Sequence, residues 1–201
     1  MRHKNCIELF TMKRFLFFLP VILLAFTPSS KMDVNDEGRI RTVFKGKIES
    51  WDVNYLGDEG TFEGYLMDDV NRWTFEVGNL SGEVNSEFND QYNSWIITVG
   101  TKTYTMKTWI SGSWYKWELS SSASSGGDLP EKTTIQTLYQ GSYDNWKMSR
   151  DSMETSITTY MNDSWDDWNM TGDLKKMTDG EKVASMFIPV FVSRVYRKHI
   201  K

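Results

Sequence analysis

Cysteine and histidine are nearly missing from this chain. Its 201 residues hold one cysteine, Cys6, and two histidines, His3 and His199. Beyond residue 30 there is no cysteine, and the one histidine lies two residues from the C-terminus. That part of the chain therefore has no disulfide, no thiolate nucleophile and no Cys metal ligand. A Ser-His-Asp, Cys-His or His-based metal site lacks its histidine. No Gly-rich phosphate loop follows a strand-like segment. No cofactor and no resident metal are expected, and only carboxylate chemistry remains. The fold must be held by its core alone, and about 170 residues suffice for one.

The N-terminus reads as a targeting segment. Phe15 to Phe26 is an apolar run of 12 residues, preceded by Lys13-Arg14 and followed by Thr27-Pro28-Ser29-Ser30. A basic region, a short apolar core and small residues describe a secretory signal peptide. The run is short of the about 20 residues that a membrane-spanning helix needs. Residues 1–30 are taken as this signal peptide, with translation expected to start at Met12, and 31–38 as a linker. The expected location is outside the cytoplasm: periplasmic, cell-surface or secreted. Beyond residue 30 there are 19 basic and 26 acidic residues, a net charge of −7. That acidity argues against nucleic acid, which needs a basic footprint. The segment 173–201 is the exception, with seven basic and three acidic residues.

What the chain does have is a grid with a spacing of eleven. Ile40, Trp51, Phe62, Trp73, Val84, Trp95, Met106 and Trp117 lie on it, and Ile135, Trp146, Ile157 and Trp168 resume it after a break. Every second member is tryptophan. This is a 22-residue repeat in six copies, and a repeat decides architecture before any local motif. Each copy reads as two strand-like segments, rich in Thr, Val, Ile and aromatics in period-two alternation. Turn pairs separate them: Lys45-Gly46, Met67-Asp68, Asn89-Asp90, Ser111-Gly112, Gln140-Gly141 and Asn162-Asp163. The Gly, Asn and Asp of these pairs tolerate the positive φ of two-residue hairpin turns. The expected fold is all-β: an antiparallel meander of six hairpins, about twelve strands, over residues 39–172.

With two-residue turns throughout, each Trp faces apolar grid residues on both neighbouring strands. Trp95, for example, faces Val84 and Met106. Two further rows share this face and are assigned to the core: Phe44, Leu66, Phe88, Ile110, Tyr139 and Met161, and Val53, Phe75, Ile97, Leu119, Met148 and Met170. A polar row lies between, with Thr42, Ser86, Thr108, Thr137 and Thr159 on one strand type and Glu49, Asn71, Asn93, Asp144 and Asp166 on the other, and the Thr hydroxyls are expected to bond the opposing Asn and Asp side chains. Beside the turns, the other face carries cross-strand pairs such as Trp109/Trp114, Leu138/Tyr143 and Tyr160/Trp165. Clamping of each hairpin accounts for them; an aromatic strip for sugar rings or a membrane interface is the functional alternative.

Twelve strands at about 4.8 Å are too many for a flat open sheet. A closed barrel needs a stagger, which a strict grid does not supply. The sheet is therefore expected to curl, either into two layers with the last four strands folded back over the first eight or into a barrel closed by irregular register near the flexible loop 120–134. The segment 173–201 is expected to cover apolar sheet surface. Helix is favoured there, from a capping box at Thr178-Asp179-Gly180-Glu181, with Lys182, Ser185, Ser193 and Arg197 as a polar stripe. A strand is the alternative.

These features point to an exported, non-enzymatic β-repeat protein with a binding or structural role at the cell envelope or beyond. The alternatives are a calycin-like barrel carrying an apolar ligand and a carbohydrate-binding or carbohydrate-active protein. Partners to weigh are thus a glycan, an apolar small molecule or an envelope protein. The binding candidates are Trp109, Trp114, Tyr143, Tyr160 and Trp165. Asp144 and Asp166, in equivalent places two strands apart, are weak catalytic candidates because their spacing on the grid suits an inverting acid/base pair.

Overall fold

The computed structural model describes residues 37–44, 47–66, 69–122, 132–161 and 164–200. The expected signal peptide, the linker up to residue 36, most of the 120–134 loop and three of the six turn pairs lie outside these residues. The strands are β1 (Glu37–Phe44), β2 (Lys47–Tyr55), β3 (Asp58–Gly64), β4 (Arg72–Val77), β5 (Leu80–Phe88) and β6 (Gln91–Val99). They continue with β7 (Lys102–Thr108), β8 (Lys116–Ser121), β9 (Lys132–Thr137), β10 (Asn145–Arg150), β11 (Met153–Thr159) and β12 (Asp167–Gly172). Each pairs with its neighbour in sequence, and β1 pairs with β12, so the twelve strands form one closed antiparallel barrel. β1 begins at Glu37, inside the expected linker, because Glu37 pairs with Thr171 to close the sheet. Ser120 and Lys132 pair as strand residues, so the 120–134 loop is shorter than its composition suggests.

The stagger that closes the barrel is spread over all six hairpins. Trp51 faces Phe62 on one side but Thr42, not Ile40, on the other. Trp95 faces Met106 and Ser86, not Val84. Trp73, Trp117, Trp146 and Trp168 repeat this, facing Gly64, Thr108, Thr137 and Thr159 within their own hairpins. Each hairpin thus slips by two residues from the strict grid, twelve in all, one for each strand. A two-residue slip keeps every side chain on its own face, and the accumulated shear supplies the tilt of about 35–45° that closure requires. The break between Trp117 and Ile135 adds nothing, since those two residues face each other directly.

The slip arises at the hairpin tips. At four tips the carbonyl of the repeat's apolar residue accepts from the N–H three residues on: Asp69 N–H donates to Leu66, Ser113 to Ile110, Ser142 to Tyr139 and Ser164 to Met161, at 2.9–3.1 Å. The other two, at Phe44 and Phe88, carry an irregular register instead. At a turn or bulge the strand alternation lapses. The row of Phe44, Leu66, Phe88, Ile110, Tyr139 and Met161 is therefore not core; these residues are 56–72% exposed. The other assigned row, from Val53 to Met170, is buried throughout, as are all twelve grid residues. The opposite turns fit the grid: Leu56, Gly57, Gly78, Gly100 and Asp151 take positive φ there.

Twelve strands leave roughly 20 Å between facing backbones, more than the wall side chains fill. The C-terminal segment fills the rest. After a short 3₁₀ turn at Leu174–Lys176, α1 (Asp179–Val190) enters the barrel and continues as a π-helix over Phe191–Ile200. A helix with side chains is about 10–12 Å across, which suits this lumen. Val183 to Val195 are buried on every side. The middle of the polar stripe is thus not solvated: Ser185 and Ser193 are buried, and Pro189 with them, while Lys182 and Arg197 at its two ends reach solvent. Pro189 has no N–H to offer the preceding turn, and the wider register begins two residues later. Phe187 meets Trp95 edge-on at 4.7 Å, and Phe191 meets Trp117 at 4.9 Å. At the entry, a Cβ on Gly180 would lie 2.4 Å from the Tyr104 ring, so no larger residue fits.

All six grid tryptophans donate their indole N–H to the carbonyl three residues before, at 2.8–3.1 Å. Trp117→Phe removes one donor and keeps an aromatic in place. Urea unfolding should show a loss of about 1–3 kcal/mol, whereas Trp109→Phe at an exposed tip should change stability by less than about 0.5 kcal/mol. Equal effects at the two positions would contradict this assignment.

Candidate functional site

The tip end of the barrel holds all five binding candidates, but not as one strip. The residue three before each Trp turns inward at the rim. Ile48, Tyr92, Trp114, Tyr143 and Trp165 pack against the core there, and Val70 is fully part of it. Trp114 meets Phe191 at 6.1 Å, Tyr143 stacks on Tyr196 at 4.1 Å, and Arg197 lies 5.1 Å from the centre of Trp165. Burial, reinforced by the hydrogen bond to Tyr196, pushes the Tyr143 phenol well above its ordinary range. Three candidates thus collar the end of the internal helix. Ser193 fastens it further, its hydroxyl donating to the Trp165 carbonyl that the Trp168 indole also uses.

Trp109 and Tyr160 stand outside the barrel on different tips. The two-residue slip separates them from their expected partners. Trp109 N–H bonds Lys116 O, and Tyr160 N–H bonds Asp167 O. Each ring is covered by a cation: Lys116 lies 4.2 Å from the centre of Trp109, and Arg39 lies 4.5 Å from that of Tyr160. The cross-strand clamps expected from the sequence are therefore not formed, and cation–π contacts stand where some of them were expected.

Asp144 and Asp166 do occupy equivalent places, each held by its own turn. Ser142 donates to Asp144, and Ser164 donates to Asp166 at 2.7 Å. Their backbone carbonyls accept from Thr159 and Thr42. The expected Thr-to-carboxylate bonds across the strands give way to these local ones, because the slip moves the threonines opposite the tryptophans. Of that row, Ser86 to Asn71 at 3.0 Å is the bond that forms. Glu49 instead meets the buried Arg194 at 3.4 Å.

A buried polar cluster at the opposite mouth was missed in the sequence. Glu181, 1% exposed, accepts from Arg150 Nε at 2.8 Å, from Thr133 Oγ1 at 2.5 Å and from Thr178 N at 2.8 Å. Burial alone disfavours its charged form, but Arg150, Thr133 and Thr178 outweigh that and hold its carboxyl below the usual range. Tyr55 lies nearby, donating to Leu174 O and Met177 Sδ, with its phenol pushed up by burial. The missed signal was Arg150 itself. It stands two residues beyond buried Met148, where Tyr55, Val77 and Val99 stand in other repeats, and a lone Arg there needs a buried acid. The cluster docks the start of α1 on β9 and β10. An open cavity of about 380 Å³ beside it is lined by Lys102, Tyr104, Thr133, Arg150 and Glu181. A second, polar groove of about 850 Å³ crosses the outside of β1, β2 and β3, with Arg39, Arg41, Asp52 and Tyr160 on its walls.

No protein-family model, curated protein or solved structure matches this chain.

Arg150→Ala leaves a buried carboxylate without its main partner and should cost about 3–5 kcal/mol. The pH dependence has a defined sign. Because the Glu181 carboxyl titrates lower when folded, its stabilisation is complete above the ordinary Glu range and is lost as pH falls through the folded value. The stability gap between the native chain and Glu181→Gln should therefore narrow in acid. A gap that stays constant from neutral to strongly acidic pH would contradict the cluster.

Proposed function

We propose that this is an exported, non-enzymatic binding protein that acts from its outer surface at the cell envelope or beyond it. The observation that carries this reading is the occupied lumen. In a barrel of this width the interior is the natural place for a ligand, and here Phe187, Phe191 and their neighbours on the helix take that space. The carrier reading loses its cavity as a result. Ionisable groups at the two mouths serve the helix: Arg150 and Glu181 at its start, Glu49 and Arg194 at its end. The carboxylates first suspected of catalysis cap turns. Glycan recognition loses support as well, since its five aromatics divide between the helix collar and separate tips.

The barrel wall faces water. Arg39, Arg41, Asp52, Glu63, Glu76 and Glu83 point outward along the first strands, and such charges disfavour a lipid-facing wall. No helix among the described residues is long and apolar enough to cross a membrane. Export rests on the basic pair and apolar run at residues 13–26.

Tryptophan fluorescence tests the closed interior. Titration of the protein with fatty acids or retinoids should give no saturable shift or quench. The double variant Phe187→Ala, Phe191→Ala should acquire saturable binding of a small apolar probe, because it opens space beside Trp95 and Trp117. Stoichiometric binding of such a ligand by the unaltered protein would overturn the reading.

A further inference from the structure

We propose that the ring of hairpin tips is a docking surface for a phospholipid bilayer. The proposal rests on the reading of the protein as a binding module that acts from its outer surface, and it names the partner. Every repeat places one apolar residue at its tip: Phe44, Leu66, Phe88, Ile110, Tyr139 and Met161, all at the same end of the barrel and all more than half exposed. A second tier follows, with Val43, Tyr65, Trp109, Leu138 and Tyr160 also exposed. Water-facing tips gain nothing from such residues, and hairpin stability does not require them at position after position.

Their arrangement selects the partner. Neighbouring tips are two strands apart, about 10 Å, so the side chains stand as separate prongs around a ring and do not merge into one patch. A folded protein would need a matching socket for each prong. A fluid bilayer surface receives all six at one level. The chemistry fits that surface tier by tier. Aromatic and aliphatic side chains suit the boundary between headgroups and acyl chains. Cations sit over the rings of four tips: Lys47 over Phe44 at 5.3 Å, Arg72 over Tyr65 at 4.1 Å, Lys116 over Trp109 at 4.2 Å and Arg39 over Tyr160 at 4.5 Å. In these pairs ring and cation stand side by side on neighbouring strands, as Tyr65 does with Arg72 and Trp109 with Lys116, and aromatic and cationic side chains gather together at the headgroup level of a bilayer. The internal helix also ends at this rim, with Arg197 over Trp165 and Lys198 and Lys201 next in sequence.

The other occupants fit less well. Asp69, Asp90, Asp144 and Asp166 lie at the same end and accept local hydrogen bonds. Two crowns set face to face would bring these like charges together, which disfavours a second copy. The same acids limit attraction to anionic lipid, so the apolar prongs carry the affinity. Glu37, the first described residue of the barrel, pairs with Thr171 at the end away from the tips.

Vesicle co-sedimentation of the purified protein tests this. Binding is expected both to phosphatidylcholine vesicles and to phosphatidylcholine with added phosphatidylglycerol, with a loss of less than about threefold when salt is raised to screen charge. The variant Phe44→Ser, Phe88→Ser, Tyr139→Ser should bind at least about tenfold more weakly, since it removes three buried apolar contacts, while its circular dichroism and urea midpoint stay unchanged. Three results would overturn the proposal: no binding to either vesicle, equal binding by the variant, or binding to the anionic vesicle alone that salt abolishes. A tip-dependent dimer in ultracentrifugation without vesicle binding would assign the crown to a second copy instead. Each of these leaves the fluorescence titration of the lumen untouched, so the outer-surface reading stands or falls separately.

Discussion

The hydrogen bond from each buried indole to the carbonyl three residues earlier sets the geometry of this barrel. A tryptophan in a core must place its single N–H donor. Here the donor reaches back to the tip end of its strand: just before the regular strand in four hairpins, as Trp117 does to Trp114 and Trp168 to Trp165, and to its second residue in the other two, Ile48 and Tyr92. That residue is drawn inward over the rim, and its carbonyl is spent on the indole. The hairpin completes its turn further out, with the two-residue slip as the consequence. Repeated six times, the slip supplies the shear of a closed twelve-strand barrel. The resulting width leaves room for one helix, and the chain provides one.

Much of this was legible in the residues. The grid of eleven located all twelve strands, the buried Trp row, the apolar partner of each Trp on one of its two sides and the turns at the end away from the tips. The capping box at Thr178 and Glu181 marked the start of the helix, and it forms as written. The slip was not legible. A repeat of 22 residues fits a two-residue turn with no stagger and a longer turn with a stagger of two, and both keep the same faces. The tip row looked like core for that reason, since Phe44 and its equivalents continue the pattern on paper and leave it only where the turn breaks the alternation. The position of the helix was hidden in a similar way. Ser185 and Ser193 read as a solvated stripe, but small hydroxyl side chains also suit a helix enclosed on all sides when each finds a carbonyl, as these do. Of the candidate site, the sequence identified Trp114, Tyr143 and Trp165 as unusual, and their role became clear only with the helix end between them.

The molecule separates its tasks by place. The interior is committed to stability: indoles bonded, the helix packed, Glu181 and Arg150 joined at one mouth. The wall carries alternating charge toward water. The exposed large apolar side chains of the described residues stand at the tips, some beneath a cation and none packed into the core. Those residues recur with the repeat, yet the Trp–carbonyl bond and the slip use at most their backbone and need nothing from their side chains. A position that repeats without a structural duty is where the account places binding.

Hydrogen exchange of the internal helix tests the account most directly. Backbone amides from Val183 to Val195 lie inside a closed barrel, so they can exchange only when the barrel itself opens. The account predicts that they are protected to the same degree as the central strand amides of β6, β7 and β10, and that helix and strands exchange together as denaturant is added. Rapid exchange across that segment, while the strands remain protected, would place the helix outside the lumen and contradict it.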